Sequence, residues 1–481
     1  MYEGLEEDNL MEKKVGLIGL IALVVGSMIG GGIFQLPSEM AQAGGPIAAI
    51  IAWVITGIGM FFLGKVFQIL NEKRPDLSGG IYTYAREGFG KYVGFNSAWG
   101  YWLSQTLGNV SYAVLFIYAL KSFFPEMGGV DSWTGLIIAT IMIWGAIVIL
   151  VKSMAVAEKL NTIATVCKIL PVIMAIILLI ISFKLHIFTS DLWAANTALQ
   201  GGQNLGGIGT QVQNGLLQTV WVFIGIESAV VISGRAKKAS DVGKATIIGY
   251  LFTFICYVLI VLLSYGALPQ DTLINLQNPA LGGVLQKTWG TWAAVIINLG
   301  VLISVAGAWI AWTIINAEVP MTVAQDKVFP KGLAKTVKSG AAINSLILNG
   351  IIMEIGFIFA MFANNAFTAI TNIATSMVLL PYILSAAFLI KLCWKEEKRP
   401  WAPIIYSVIS MLFAFYALST SGVTGILELF ILYAFGWIFV FISAKEQKNK
   451  MFDTKWELAL CIGIMVIACC AIAYLVVPMI K

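Results

Sequence analysis

Two short stretches carry residues able to do chemistry inside an otherwise apolar chain. In Gly26-Ser27-Met28-Ile29-Gly30-Gly31-Gly32-Ile33-Phe34, four glycines fall within seven positions. Glycine weakens a helix and frees backbone N–H groups, and in hydrocarbon each unsatisfied group costs several kcal/mol unless protein, water or a ligand takes it up. Such backbone belongs beside a cavity. Where a broken helix resumes, bare N–H groups and the positive end of the dipole suit a carboxylate. The competing reading is a small-residue helix crossing, since Gly26 and Gly30 satisfy GxxxG, but that packing motif does not need three consecutive glycines. In the second stretch, Trp221-Val222-Phe223-Ile224-Gly225-Ile226-Glu227-Ser228, a glycine and an ionisable carboxylate interrupt another apolar run.

A charge at mid-span costs several kcal/mol unless paired or hydrated, so Glu227 reads as functional; the alternative is a protonated, hydrogen-bonded structural glutamate. Trp221 precedes it, and Trp309 and Trp312 lie about one turn apart in a later run, where an indole facing the same cavity can stack on a cationic side chain. Trp99, Trp102, Trp394 and Trp401 stand near loops and fit interfacial anchoring. Lys168, in Cys167-Lys168-Ile169-Leu170-Pro171, is too far from its basic loop to snorkel easily. It is expected to point inward and donate to backbone carbonyls or a carboxylate, where a fixed ammonium can replace a sodium ion. Asn109, in Gly108-Asn109-Val110-Ser111-Tyr112, suits either a ligand contact or an interhelical hydrogen bond. Glu318, just before Pro320, suits a gate, and Glu354 has no evident role.

The elements that must position these residues are membrane spans. Hydrophobic residues make up 59% of the 481 and charged ones 11%, and the mean hydropathy is +0.87, far from a soluble domain. Apolar runs long enough to cross the hydrocarbon core fall at 15 to 41, 46 to 69, 92 to 120, 133 to 151, 160 to 183, 214 to 234, 245 to 267, 291 to 324, 341 to 362, 367 to 391, 401 to 419, 424 to 443 and 457 to 478, thirteen in all. With the N-terminus in the cytoplasm, 25 of the 30 basic residues fall on the inner side, and only Lys121, Lys184, Lys287 and Lys481 outside. The positive-inside rule thus supports the span count and puts the C-terminus outside. The first 14 residues are acidic, then basic, and carry no cleavable signal. The six cysteines read as reduced packing residues, and one histidine, His186, argues against a histidine-based metal site or triad.

The interrupted runs are the first and the sixth. Interrupted helices in matching positions of two five-span halves point to an inverted-repeat transporter. The expected organisation is a cytoplasmic tail over 1-14, a first repeat over 15-183, an external loop over 184-213, a second repeat over 214-391 and additional spans over 392-481.

The glycine run Gly26 to Phe34, the stretch Trp221 to Glu227 and the run Gly79-Gly80-Ile81-Tyr82-Thr83-Tyr84-Ala85 resemble the amino acid, polyamine and organocation transporters, specifically the basic amino acid antiporters. Ser97-Ala98-Trp99-Gly100-Tyr101-Trp102 and Gly108 to Tyr112 place the resemblance nearest the arginine/ornithine branch, and it covers essentially the whole chain. It implies an all-α polytopic membrane protein with a LeuT-like 5+5 inverted repeat. It further implies that Ser27 and the N–H groups of Gly30, Gly31 and Gly32 hold the substrate carboxylate, and that the Met28 and Ile224 carbonyls hold the α-ammonium. Trp221 would close from the outer side, while Asn109 and Trp312 meet the cationic side chain. Tyr101, Glu227 and Tyr382 would form an inner gate. The chain departs from the arginine/agmatine exchanger in having Lys168 and in having Gly31 where that exchanger has a serine.

The expected activity is exchange of extracellular arginine for intracellular ornithine by alternating access, in a bacterial-type plasma membrane. Its partners are cationic amino acids and lipid, with no nucleic acid and no cofactor; a homodimer is compatible with such a chain. The rival readings are a proton-coupled cationic amino acid permease and an exchanger of lysine or another amino acid. A channel would need a continuous polar pore, and an enzyme a nucleophile motif or metal cluster, and neither pattern is present.

Overall fold

The computed structural model describes residues 15–77, 80–199, 202–231, 236–448, 450 and 452–480. Of the side chains, those of 154–166, 231, 239 and 476–480 lie outside the description.

Among the described residues the chain is helical throughout and forms no strand. The principal helices are α1 (Leu17–Met28), α2 (Leu36–Ala43), α3 (Pro46–Lys73), α4 (Lys91–Phe123), α5 (Trp133–Lys152), α6 (Met154–Ser182), α7 (Ile208–Trp221), α8 (Ser228–Val231), α9 (Ala239–Ala267), α10 (Thr291–Gln325), α11 (Ile343–Met361), α12 (Ala366–Trp394), α13 (Trp401–Ser419), α14 (Gly422–Gln447) and α15 (Lys455–Ile480). Ten of them are long and apolar enough to cross a membrane. Each coincides with one of the thirteen apolar runs. The fifth run corresponds to α6, whose described apolar part is Cys167–Ser182. The first and sixth runs are split.

The first run stops at Met28, passes through a single 3-10 turn (Gly32–Phe34) and resumes as α2, with Pro37 and Glu39 in its first turn. Proline there loses no helical bond, and an acidic side chain suits the dipole. The sixth run stops at Trp221, turns through residues 222–227 and resumes as the single turn α8. Gly225 has φ +108°, a backbone only glycine adopts freely.

At the centre, α4 packs on α10 and α12, and α9 packs on α1 and α3. Exposed isoleucines, leucines and phenylalanines cover the outer faces of α5, α11, α13 and α15, as a lipid-facing surface requires. At the end rich in basic residues, Lys73 pairs with Glu396 at 2.6 Å and Arg86 with Asp326 at 2.7 Å. These exposed pairs are worth about 1 kcal/mol or less each.

Candidate functional site

The two breaks face each other and are stapled together. Tyr257 on α9, fully buried, puts its hydroxyl 2.7 Å from the Met28 carbonyl and 2.9 Å from the Val222 carbonyl. The Ser27 hydroxyl lies 3.0 Å from the Gly225 carbonyl and 2.9 Å from the Ser228 hydroxyl. Phe223 anchors the second break in an aromatic cluster, 5.4 Å from the Tyr257 ring and 6.0 Å, edge-on, from Trp53. Backbone released from helical bonding is therefore held by the hydroxyls of Tyr257 on α9 and Ser27 on α1.

The glycines are dictated by close approach. A Cβ on Gly30 would stand 2.4 Å from the Tyr112 hydroxyl, and one on Gly31 would stand 2.5 Å from Leu115. A Cβ on Gly32 would meet Val222 at 2.7 Å and the Trp221 indole nitrogen at 3.3 Å, and one on Gly108 would meet the far edge of the same indole at 3.0 Å. Trp221 thus spans from one break to α4 in a slot kept open by two glycines.

Between the breaks is a small cavity lined by Ser27, Met28, Gly30, Gly32, Gln105, Gly108, Tyr112, Trp221, Val222, Ile224 and Trp312. Its polar groups fall into two kinds. The N–H groups of Gly31, Gly32 and Ile33 donate to no acceptor among the described residues. They form a run of donors at the start of the 3-10 turn, the arrangement that holds anions. On the facing break, the Ile224 carbonyl accepts no backbone bond among the described residues, whereas Met28 accepts from both Tyr257 and the Gly30 N–H. Ile224 is left with lone pairs for an ammonium, while Met28 accepts from the Gly30 N–H and shares the single Tyr257 hydroxyl proton with Val222.

Of the residues expected to contact a substrate, seven line this cavity: Ser27, Met28, Gly30, Gly32, Trp221, Ile224 and Trp312. Gly31 turns its Cα toward Leu115 and Tyr112. Asn109 donates to the Thr313 hydroxyl at 2.9 Å, an α4 to α10 bond, and its side-chain oxygen is buried without a partner. The cavity also takes Gln105, Tyr112 and Val222. The rule that singled out Asn109, a polar residue in a span, also singles out Gln105 one turn earlier; its amide nitrogen is buried without a partner.

The remaining three carboxyl and hydroxyl groups meet beneath the second break. Glu227, fully buried, accepts from the Tyr382 hydroxyl at 2.9 Å and from the Gly225 N–H at 3.1 Å. The Tyr101 hydroxyl faces the same carboxyl group. Lys168, also buried, donates from α6 to the Gly26 carbonyl, so its amino group sits behind the first break, against backbone. Glu354 pairs with Thr140 on α5, away from this cavity. No group of three or more histidine, cysteine or carboxylate side chains suited to a metal occurs among the described residues.

Residues 15–467 match the profile of a family described as amino acid permease. The chain belongs to the amino acid permease family. This permease is 40% identical to an arginine/agmatine antiporter of Chlamydia felis over 92% of its own length and 93% of the relative's. It is 39% identical to an arginine/ornithine antiporter of Pseudomonas aeruginosa, over 92% and 94% of the two chains. A putative amino-acid transporter of Clostridium perfringens is 37% identical over 96% and 98%. With ten long apolar helices among its described residues, the permease is an integral membrane protein.

Proposed function

We propose that this permease is an antiporter that takes up arginine in exchange for ornithine by alternating access. The observation that carries the reading is the facing of the two breaks, with donors of Gly31, Gly32 and Ile33 on one side, the Ile224 acceptor on the other, and Trp221 across the top. An α-amino acid presents the complement, a carboxylate beside an ammonium. The cationic side chain then extends toward Gln105 and Trp312, the latter offering a π face worth roughly 0.5 to 2 kcal/mol to a cation.

The relatives' names divide between ornithine and agmatine. A row of backbone donors rewards a carboxylate, which ornithine carries and agmatine lacks, and this favours ornithine as the second substrate. Arginine and ornithine carry the same net charge, so swapping one for the other moves no net charge and needs no ion gradient. The Lys168 ammonium occupies the space behind the first break where a coupling cation would otherwise sit.

The frame we propose for this activity is a LeuT-like pair of inverted five-span repeats over 15-183 and 214-391, with the split helices as spans 1 and 6 of thirteen. Residues 1-14 form a cytoplasmic tail, 184-213 an external loop, and the spans within 392-481 end outside. The basic residues crowding one end support that orientation. Tyr101, Glu227 and Tyr382 close the path on the cytoplasmic side.

Titration of the detergent-purified protein while tryptophan fluorescence is followed tests the site. Arginine and ornithine are expected to quench saturably, agmatine more weakly, and Trp221→Leu to remove the signal. Equal responses to amino acids without a cationic side chain would overturn the substrate class.

A further inference from the structure

Above the central cavity the fold holds a second polar chamber, and a buried carboxylate lies behind its wall, bonded to the lining residue Asn365. Glu39, in the first turn of α2, is 7% exposed. Its oxygens each lie 2.7 Å from the Thr368 hydroxyl, which has one proton and serves one of them at a time. Asn365 also reaches it. No lysine or arginine among the described residues pairs with it. A buried carboxylate that has lost water and gained so few donors is an acceptor awaiting a cation.

The chamber above it opens on the face opposite the basic end. One part is lined by Gln42, Tyr118, Asn278 and Asn365. It joins a wider part through Tyr118 and Asn278, which line both. On the wider part, Asn298 gives its amide to the Ser122 hydroxyl at 2.8 Å, and its side-chain oxygen is buried without a partner. Lys121 and Asp131, of opposite charge, both line that wall. The same elements continue downward: α2 runs back from Glu39 to the glycine break, and α4 runs from Tyr118 to Tyr112 on the central cavity.

We infer that Glu39, with the acceptor oxygens of this chamber, is an outer holding site for the cationic side chain of the transported amino acid, filled before the substrate reaches the central cavity. The inference rests on the antiporter reading. A guanidinium or ammonium brings only donors, and the chamber presents amide oxygens with the Glu39 carboxylate behind Asn365. The site draws cations inward and releases them downward when Trp221 opens.

The test is arginine exchange in vesicles of both orientations, for wild type and Glu39→Gln. In Glu39→Gln the KM at the external face is expected to rise by at least about fivefold, the bulk-water limit of one charge contact, with the internal-face KM and the tryptophan-quench affinity of the central cavity unchanged. For wild type, raising ionic strength is expected to raise the external KM and not the internal one. An external KM untouched by the substitution, or shifted equally on both faces, overturns the inference while the antiporter stands. If Glu39→Gln does not fold, the wild-type salt dependence decides alone, and a flat external KM overturns the inference. Wild-type vesicles that exchange no arginine overturn the antiporter reading itself.

Discussion

The hydroxyl of Ser27 stands 3.0 Å from the carbonyl oxygen of Gly225, so the two interrupted helices meet break to break. Gly225 has φ +108°, and a Cβ there would lie 3.0 Å from both the Cβ and the hydroxyl of Ser27. Gly225→Ala is therefore strained by backbone and by contact together, at a cost of about 1 to 3 kcal/mol. A lowered thermal midpoint in detergent, with arginine binding weakened, is the expected outcome; an unchanged midpoint would show that the second break is not held in this conformation.

Gly30 and Tyr112 form a testable pair. Gly30→Ala places a methyl 2.4 Å from the tyrosine hydroxyl, but 3.1 Å from the nearest ring carbons. Tyr112→Phe removes the oxygen and leaves the ring. Gly30→Ala alone is expected to lower arginine affinity at least about tenfold, and the double variant to regain most of it, with a coupling of about 0.5 to 3 kcal/mol. Additive losses in the double-mutant cycle would contradict this geometry.

Tyr382→Phe removes the 2.9 Å bond to Glu227 and leaves a buried carboxyl oxygen short of a donor. A hydrogen bond to such a group is worth about 1.5 to 3 kcal/mol. The variant is expected to open more readily at its cytoplasmic end, read as faster thiol labelling of a cysteine introduced below the gate. Labelling no faster than wild type would remove Tyr382 from the gate.

Lys168 binds the Gly26 carbonyl from a buried position. Lys168→Met keeps length and loses the donor, and a stranded buried carbonyl costs about 1 to 3 kcal/mol. Slower exchange and a lower thermal midpoint are expected. In wild type, replacing sodium by choline on both sides is expected to leave the exchange rate unchanged, and sodium dependence would show that the ammonium does not substitute for an ion.

The spans and their interruptions are legible because hydropathy and glycine act locally. Among the described residues, ten of the thirteen apolar runs are helices long and apolar enough to cross a membrane, the fifth is the single helix α6, and the two stretches that carry the glycine run and Glu227 are the two splits. Lys168 is legible as an inward ammonium, though its partner Gly26 is not, since 142 residues separate them. Tyr257 carries no signal at all. It is one aromatic residue in an apolar run, and its role exists only because α9 lies behind both breaks. Asn109 shows the opposite limit: a polar residue in a span reads equally as a ligand contact and as a helix bond, and its amide bonds Thr313 while Gln105 lines the cavity.

Arginine uptake into proteoliposomes preloaded with ornithine, agmatine, lysine or nothing tests the exchange directly. Uptake is expected to be fastest against ornithine and close to background in empty vesicles, with one molecule leaving for each that enters. Uptake into empty vesicles as fast as into loaded ones would contradict obligatory exchange and make the protein a uniporter or a proton-coupled permease.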